Sequence, residues 1–363
     1  MKVGIVGLPN AGKSTIFNAL SSGNAVIASY PFCTIEPNVG IAEVPDHRLF
    51  ELSKVVHPRR IVHATVKFVD IAGLVKGASQ GEGLGNQFLS SIREVDLITH
   101  VLRCFSDGDV PHPHAKISPA YDAEVVETEL LISDLEQVER RLAKVQNAAR
   151  CGDDKARLSY SLLMGLKDKL ASGEPASRFG QLTKLQEQID DLFLITSKPV
   201  IYVANVSDLD PPEVREAFLK EVDTLVQESN RPYLTVYARL ELELSDLTPQ
   251  ERSGFLAEVG IDESGIGDFI KKCYDLLGLV TFFTTESDEL RAWTVKNGTA
   301  ALKAAGKIHS DMERGFIRAE VISYDELIKA GSLARAREQG HLRVEGKGYQ
   351  ICDGDVITFR FAV

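Results

Sequence analysis

Cysteine is scarce and scattered in this chain: Cys33, Cys104, Cys151, Cys273 and Cys352 are odd in number and never spaced as CxxC. That distribution excludes a disulfide framework or a zinc ribbon and points to a reducing cytosol. Long hydrophobic runs are missing too, and none approaches the ~20 residues that cross a bilayer. The opening MKVGIVGLPN enters a strand-like stretch without the charge–apolar–cleavage order of a secretory leader, so a cytoplasmic protein with no membrane partner is expected. There is no internal repeat and no low-complexity tract. An apolar content of 44% with 26% charged residues leaves out a disordered or fibrous chain. At 363 residues the length suits two or three domains.

Positive charge is also in deficit, but unevenly. The net charge is −11, and Val280–Val363 balances 12 basic against 12 acidic residues, so the excess acidity lies entirely before it. An acidic chain is a poor nonspecific binder of nucleic acid, because phosphate contacts need Lys and Arg. The neutral tail is where a basic face would sit, from Arg335, Arg337, Arg343 and Lys347. A plain solvated face is the alternative.

What is present begins with a short apolar run, Lys2–Val6, then a glycine-bearing turn and a helical pattern with Ile16, Phe17 and Leu20 on one face. Val66–Ile71, Leu97–Leu102, Val200–Ala204 and Tyr233–Tyr237 read as further buried strands. Apolar strands separated by helices predict a mostly parallel sheet covered on both faces, an α/β fold. Between about Tyr121 and Thr196 the alternation stops. Leu131, Leu135, Val138, Leu142 and Val145 make a heptad seam, Cys151–Asp154 a turn, and Leu162, Leu163, Leu166 and Leu170 a returning helix. An inserted antiparallel hairpin is the economical reading, with amphipathic helices flat on the core as the alternative. After Leu279 a small mixed domain is expected, ending in an Asp-Gly-Asp turn and an alternating strand.

Gly7-Leu-Pro-Asn-Ala-Gly-Lys-Ser14 matches GxxxxGK(S/T) at every fixed position, between a strand and a helix, which is the context a phosphate-binding loop requires. Its glycines let backbone N–H groups point at phosphate oxygens, and the helix N-terminus adds partial positive charge. Lys13 is expected to reach the β- and γ-phosphates, and the Ser14 hydroxyl to ligate Mg²⁺. Asp70-Ile-Ala-Gly73 fits DxxG at a strand end, with Asp70 holding Mg²⁺ through water and the Gly73 N–H sensing the γ-phosphate. Thr34 is placed to close over the metal. Where a water-orienting glutamine often follows that glycine stands Leu74, which cannot hydrogen-bond water, so another group positions the nucleophile or turnover is slow. Gly77, Gly81, Gly83 and Gly85 make the next segment suited to rearrangement. Asn205-Val-Ser-Asp208 occupies the place of the guanine-reading NKxD: Val206 removes the lysine, while Asp208 still favours guanine. A strand-end turn capped by Asn and Asp is the other reading.

GLPNAGKST, DIAGLVKGASQGEGLGNQFL and NVSD, with the helical insertion and small tail, resemble the YchF/Obg-like ATPase family over essentially the whole chain. The resemblance implies a P-loop, G-domain-like nucleotide domain over 1–119 and 198–279. It also implies a coiled-coil arm over 120–197 and a β-grasp TGS domain over 280–363. It implies that Asn10, Ala11, Gly12, Lys13, Ser14 and Thr15 hold the phosphates and that Ser14 and Thr34 ligate magnesium with Asp70 behind them. Backbone groups near Asn205 and Val206 would read adenine, although Asp208 is the guanine-type residue where many relatives have Glu. A water-positioning loop histidine of relatives maps onto His112, with His114 close by and an exposed loop histidine as the plain alternative.

The resulting expectation is a slow, Mg²⁺-dependent, monomeric ATPase acting as a switch on the ribosome, with the large subunit and its RNA as partner. A GTP switch, a non-catalytic assembly factor that uses nucleotide as a structural ligand, and an RNA-binding tail stay open as alternatives.

Overall fold

β1 (Lys2–Val6) leads through the glycine turn into α1 (Lys13–Ser22), where Ile16 and Leu20 are buried as their spacing predicts. Next come β2 (Val39–Glu43), α2 (His47–Val56), β3 (Arg60–Val62), β4 (Thr65–Asp70), α3 (Leu84–Arg93) and β5 (Leu97–Cys104). The long helices α4 (Pro119–Arg150) and α5 (Asp154–Ala171) and the short α6 (Leu182–Gln188) follow. Then come β6 (Val200–Val206), α7 (Pro212–Ser229), β7 (Tyr233–Val236), α8 (Ala238–Leu244) and α9 (Pro249–Glu258). The remainder is α10 (Ile266–Leu276), β8 (Leu279–Thr284), β9 (Glu289–Lys296), α11 (Ala301–Ile308), α12 (Ser310–Arg314) and β10 (Phe316–Ser323). It closes with α13 (Tyr324–Ala330), α14 (Leu333–Glu338), β11 (Arg343–Glu345) and β12 (Asp355–Phe361). The computed structural model describes residues 1–22, 38–71, 84–114, 116–189, 191–245, 247–258, 261, 265–285 and 288–362. They divide into two units, Met1–Gly40 with Lys67–Ile266, and Ile41–Val66 with Gly267–Val363.

The first unit is built on a sheet in which β4, β1, β5, β6 and β7 run parallel in that order. All eight residues of β5 are buried, which is why it reads as a continuous run rather than an alternation. The register pairs Ile5 with Asp70 and Cys104 with Val206, so β1 ends with β4 and β5 ends with β6; Val6 pairs with His100, which carries β5 and β6 past the end of β1 at the same edge of the sheet. Ligands of open α/β sheets bind at such carboxyl ends.

α4 serves two layers. Its first half packs on the sheet, with Ala123 against Leu102 and Tyr202, and Val126 and Leu130 against Val6 and Ile98. Its second half carries Val138 and Leu142 into a separate cluster with Leu162, Leu163, Leu166 and Leu170 of α5, and Leu131, Leu135 and Val145 flank it. A three-residue break, Cys151-Gly152-Asp153, in which the Asp153 side chain accepts from the Ala156 N–H, turns the chain back. The fully buried Asp134 fixes α4 to the strand approach: it accepts from the backbone N–H groups of Ile195 (2.9 Å) and Thr196 (2.7 Å). Burial raises the Asp134 pKa, and these hydrogen bonds oppose the rise.

The second unit holds a sheet of order β11-β10-β12-β8-β9-β3. β8 and β9 form an antiparallel hairpin, β12 runs parallel beside β8, and α11 packs Ala301, Ala304 and Ala305 against Phe282, Phe316 and Phe359. Ile41–Val66, within the stretch expected to lie in the nucleotide domain, belongs to this unit. The reasons are local. β3 adds to β9 in parallel, and Arg48 donates to Asp353 at 2.6 Å while its guanidinium lies 5.2 Å from the centre of the Phe283 ring.

Leu163 has no solvent exposure and sits mid-hairpin. Leu163→Ala is expected to lower the unfolding free energy by about 2–5 kcal/mol, read as a shifted denaturant midpoint in helical circular dichroism.

Candidate functional site

The turn after β1 is shaped by residues with positive φ: Gly7 (152°), Asn10 (63°) and Gly12 (91°). A Cβ on Gly12 would lie 2.1 Å from Asn205 Nδ2, so only glycine fits there. That approach exists because Asn205, at the end of β6, donates through Nδ2 to the Ala11 carbonyl (3.0 Å) and accepts the Ala238 N–H at Oδ1 (3.3 Å). Asn205 thus ties three separate segments of the site to one another. Lys13 is buried and donates to the Leu8 carbonyl at 2.8 Å across the turn. Burial lowers its pKa, and the nearby Asp70 carboxylate partly restores it. The Ser14 hydroxyl donates to Asp70 Oδ2 at 3.1 Å, bringing together two oxygens 56 residues apart in sequence.

Opposite the turn stands the loop after β5. Its organiser is Arg103, only 2% exposed, which donates to the carbonyls of Phe105 (3.3 Å), Asp107 (3.3 Å), Val110 (3.0 Å) and Pro111 (3.4 Å). Its guanidinium also lies 4.6 Å from the Phe105 ring centre. Burial lowers the Arg103 pKa, while Asp107, Asp122 and Asp210 oppose that shift. The loop is stitched to its neighbours where the Ser106 N–H donates to Asp210 (2.9 Å) and Asn10 Nδ2 donates to the Pro111 carbonyl (2.9 Å).

Between these walls lies a cavity of about 700 Å³, large enough for a nucleotide. Asn10, Gly12, Lys13, Ser14 and Thr15 line one side, Phe105–Val110 another, and Asn205, Val206, Ser207, Leu209 and Arg239 a third. Of the residues singled out in the sequence, Asn10, Gly12, Lys13, Ser14, Thr15, Asn205 and Val206 line this space, and Asp70 stands outside the lining, joined to it through Ser14. Ala11 is buried beneath it and Asp208 is half-buried outside its lining. His112 is also outside the lining: its Nε2 lies 2.9 Å from Asp122 Oδ2 in the first turn of α4. Thr34, Gly73, Leu74 and the glycine-rich stretch through Gly83 lie outside the described residues.

Residues 2–146 match the family described as "50S ribosome-binding GTPase", and residues 279–362 match YchF-GTPase_C, described as "Protein of unknown function (DUF933)". A curated relative from Bacillus subtilis (strain 168), the ribosome-binding ATPase YchF, is 48% identical over 100% of both chains. Its counterpart in Escherichia coli O157:H7 is 43% identical over 100% of this chain and 99% of its own. The chain belongs to the YchF family. A solved YchF GTPase structure from Schizosaccharomyces pombe superposes with a TM-score of 0.88 at 32% identity, covering 99% of this chain and 97% of that one. In this YchF chain, therefore, the α/β architecture is that of a P-loop NTPase.

Three contributors to the YchF site went unread in the sequence: Arg103, the Phe105–Val110 wall and Arg239. Arg103 carried a signal, since a guanidinium inside the apolar run Leu97–Cys104 must find acceptors when the strand is buried. Arg239 carried none, because its position over the cavity depends on how α8 follows β7. Arg103→Met removes the donors of four loop carbonyls. It is expected to cost at least about 2 kcal/mol of unfolding free energy and to weaken nucleoside triphosphate binding at least about tenfold, equivalent to ~1.4 kcal/mol, measured by calorimetric titration and thermal melting.

Proposed function

We propose that this protein is a slow, Mg²⁺-dependent P-loop ATPase that acts as a nucleotide-controlled switch on the ribosome, as a monomer in the cytoplasm. The observation that carries the reading is the pairing of the Ser14 hydroxyl with Asp70 beside the buried Lys13, at the mouth of a nucleotide-sized cavity. Full-length identity to relatives named ribosome-binding ATPases supports the ribosome as partner, and the match to a 50S ribosome-binding family supports the large subunit. The exposed Arg337 and Arg343 of the tail, which a TGS-type reading makes a contact for ribosomal RNA, are partly neutralised by Glu320 and Asp355.

The residues present fit magnesium. Ser14 and Asp70 offer hard oxygens, and among the described residues no cluster of three or more His, Cys, Asp or Glu side chains would favour another metal. Ser14, with Thr34 from the first switch segment, would hold the ion, and Asp70 would orient its water. When bound, magnesium would supply charge neutralisation to the phosphate groups. Lys13 and the backbone N–H groups of Asn10–Thr15 bind and orient the phosphates, and the Gly73 N–H registers the terminal one. With Leu74 in place of a water-orienting glutamine, intrinsic turnover is slow.

GTP is the second reading, favoured by Asp208 and by the GTPase name of the fission-yeast relative. ATP binding at least about tenfold tighter than GTP, a difference of ~1.4 kcal/mol, is expected in paired titrations; the reverse order would replace the ATP reading. Val206→Lys restores the lysine of NKxD and is expected to shift the preference toward GTP. Lys13→Ala, or chelation of divalent metal, is expected to reduce phosphate release by about a hundredfold or more, since both remove charge stabilisation of the transferred group. Release by the wild type no greater than by Lys13→Ala, with and without ribosomes, would favour a non-catalytic scaffold.

A further inference from the structure

His112 stands at the junction between the cavity wall and the helical hairpin, and both of its ring nitrogens are engaged. Nε2 lies 2.9 Å from Asp122 Oδ2, and Nδ1 lies 3.1 Å from both the backbone nitrogen and the carbonyl oxygen of His114. Neither side chain of the His112–Asp122 pair is more than 7% exposed. The two nitrogens are not equivalent in what they can do. At Nδ1, His114 offers a donor and an acceptor at the same distance, so either neutral tautomer is satisfied there. At Nε2, the carboxylate only accepts, so it selects the tautomer with its proton on Nε2. In that tautomer the one free lone pair of the ring faces the His114 N–H, and no lone pair is available to a water.

The Asp122 contact is a costly one to keep. Its other oxygen, Oδ1, is buried with no hydrogen-bond partner among the described residues. Burial raises the Asp122 pKa, against the opposing effect of His112. A half-satisfied buried carboxylate is a contact that a small displacement can exchange. Its two flanks lead to different places. Next to His112, Pro111 accepts from Asn10 of the phosphate-binding turn. On the other side, Asp122 lies in the first turn of α4, which continues through Val138 and Leu142 into the hairpin.

We propose that Asp122 is an inhibitory positioning residue: it latches His112 in the Nε2–H tautomer, and a shift of the N-terminal turn of α4 releases it. On release the ring proton resides on Nδ1, donating to the His114 carbonyl, and the Nε2 lone pair is free to take a proton from water. That water attacks the terminal phosphorus while the bond to the bridging oxygen breaks, and the nucleoside diphosphate leaves with the electron pair. The hairpin end of α4 is then the handle through which a bound partner sets the hydrolysis rate. The inference rests on the ATPase reading above.

The test uses the full chain without ribosomes. Asp122→Ala is expected to raise kcat for ATP at least about tenfold, the lower part of the range for a general base, with KM changed less than about twofold. The His112→Ala/Asp122→Ala double variant is expected to fall back to the His112→Ala rate. A kcat for Asp122→Ala at or below wild type, with ATP affinity intact, overturns the latch; so does a rise that survives in the double variant. Ring ¹⁵N NMR of the wild type at neutral pH provides a readout that needs no variant to fold. A proton on Nε2 supports the latch, and a proton on Nδ1 overturns it. If the wild type releases no phosphate from ATP under any condition, it is the ATPase reading that fails, and the NMR result still decides whether the latch exists.

Discussion

One buried cation organises the nucleotide-side architecture. Arg103 cannot lose its charge and is almost wholly removed from water at the end of the central strand. Its guanidinium is satisfied by fanning its donors onto the carbonyls of the loop that follows. The loop that results forms a wall of the cavity, presents Pro111 to Asn10, and delivers His112 to Asp122. An apolar residue at that position would leave the loop free to follow solvent, and the cavity would lose a side.

The second constraint is the continuity of α4. A helix of 32 residues is stiff along its axis, and this one is shared between the sheet and the hairpin. Asp134 pins it midway by satisfying the N–H groups of Ile195 and Thr196, while Asp122 touches the cavity loop at its start. The loop beside the cavity and the hairpin are therefore joined through one continuous helix.

Much of this was legible from residue order. The P-loop could be read because its glycines, lysine and serine are contiguous and each answers a local demand of phosphate binding. The heptad leucines and the buried strands could be read because periodicity is local, and Asp70 could be placed because an apolar strand ends on it. Segment 41–66 could not be placed. Its membership of the second unit rests on β3 finding β9, and Arg48 finding Asp353 and Phe283, across more than 200 residues. His112 as a loop histidine was visible, but its partner on α4 was not, since nothing in the spacing of His112 and Asp122 shows that both are buried.

The sequence by itself determined the class of chemistry: a phosphate-binding turn, a strand-end aspartate in DxxG and an NKxD-like stretch without its lysine are encoded in short stretches whose geometry follows from backbone conformation and charge. Tertiary structure decided which distant groups share that chemistry. The union of Ser14 with Asp70, the tie of Asn205 to the turn and the capture of His112 by Asp122 all follow from strand order and helix packing. Those are set by the collective burial of apolar surface, and no local pattern records the outcome of that competition.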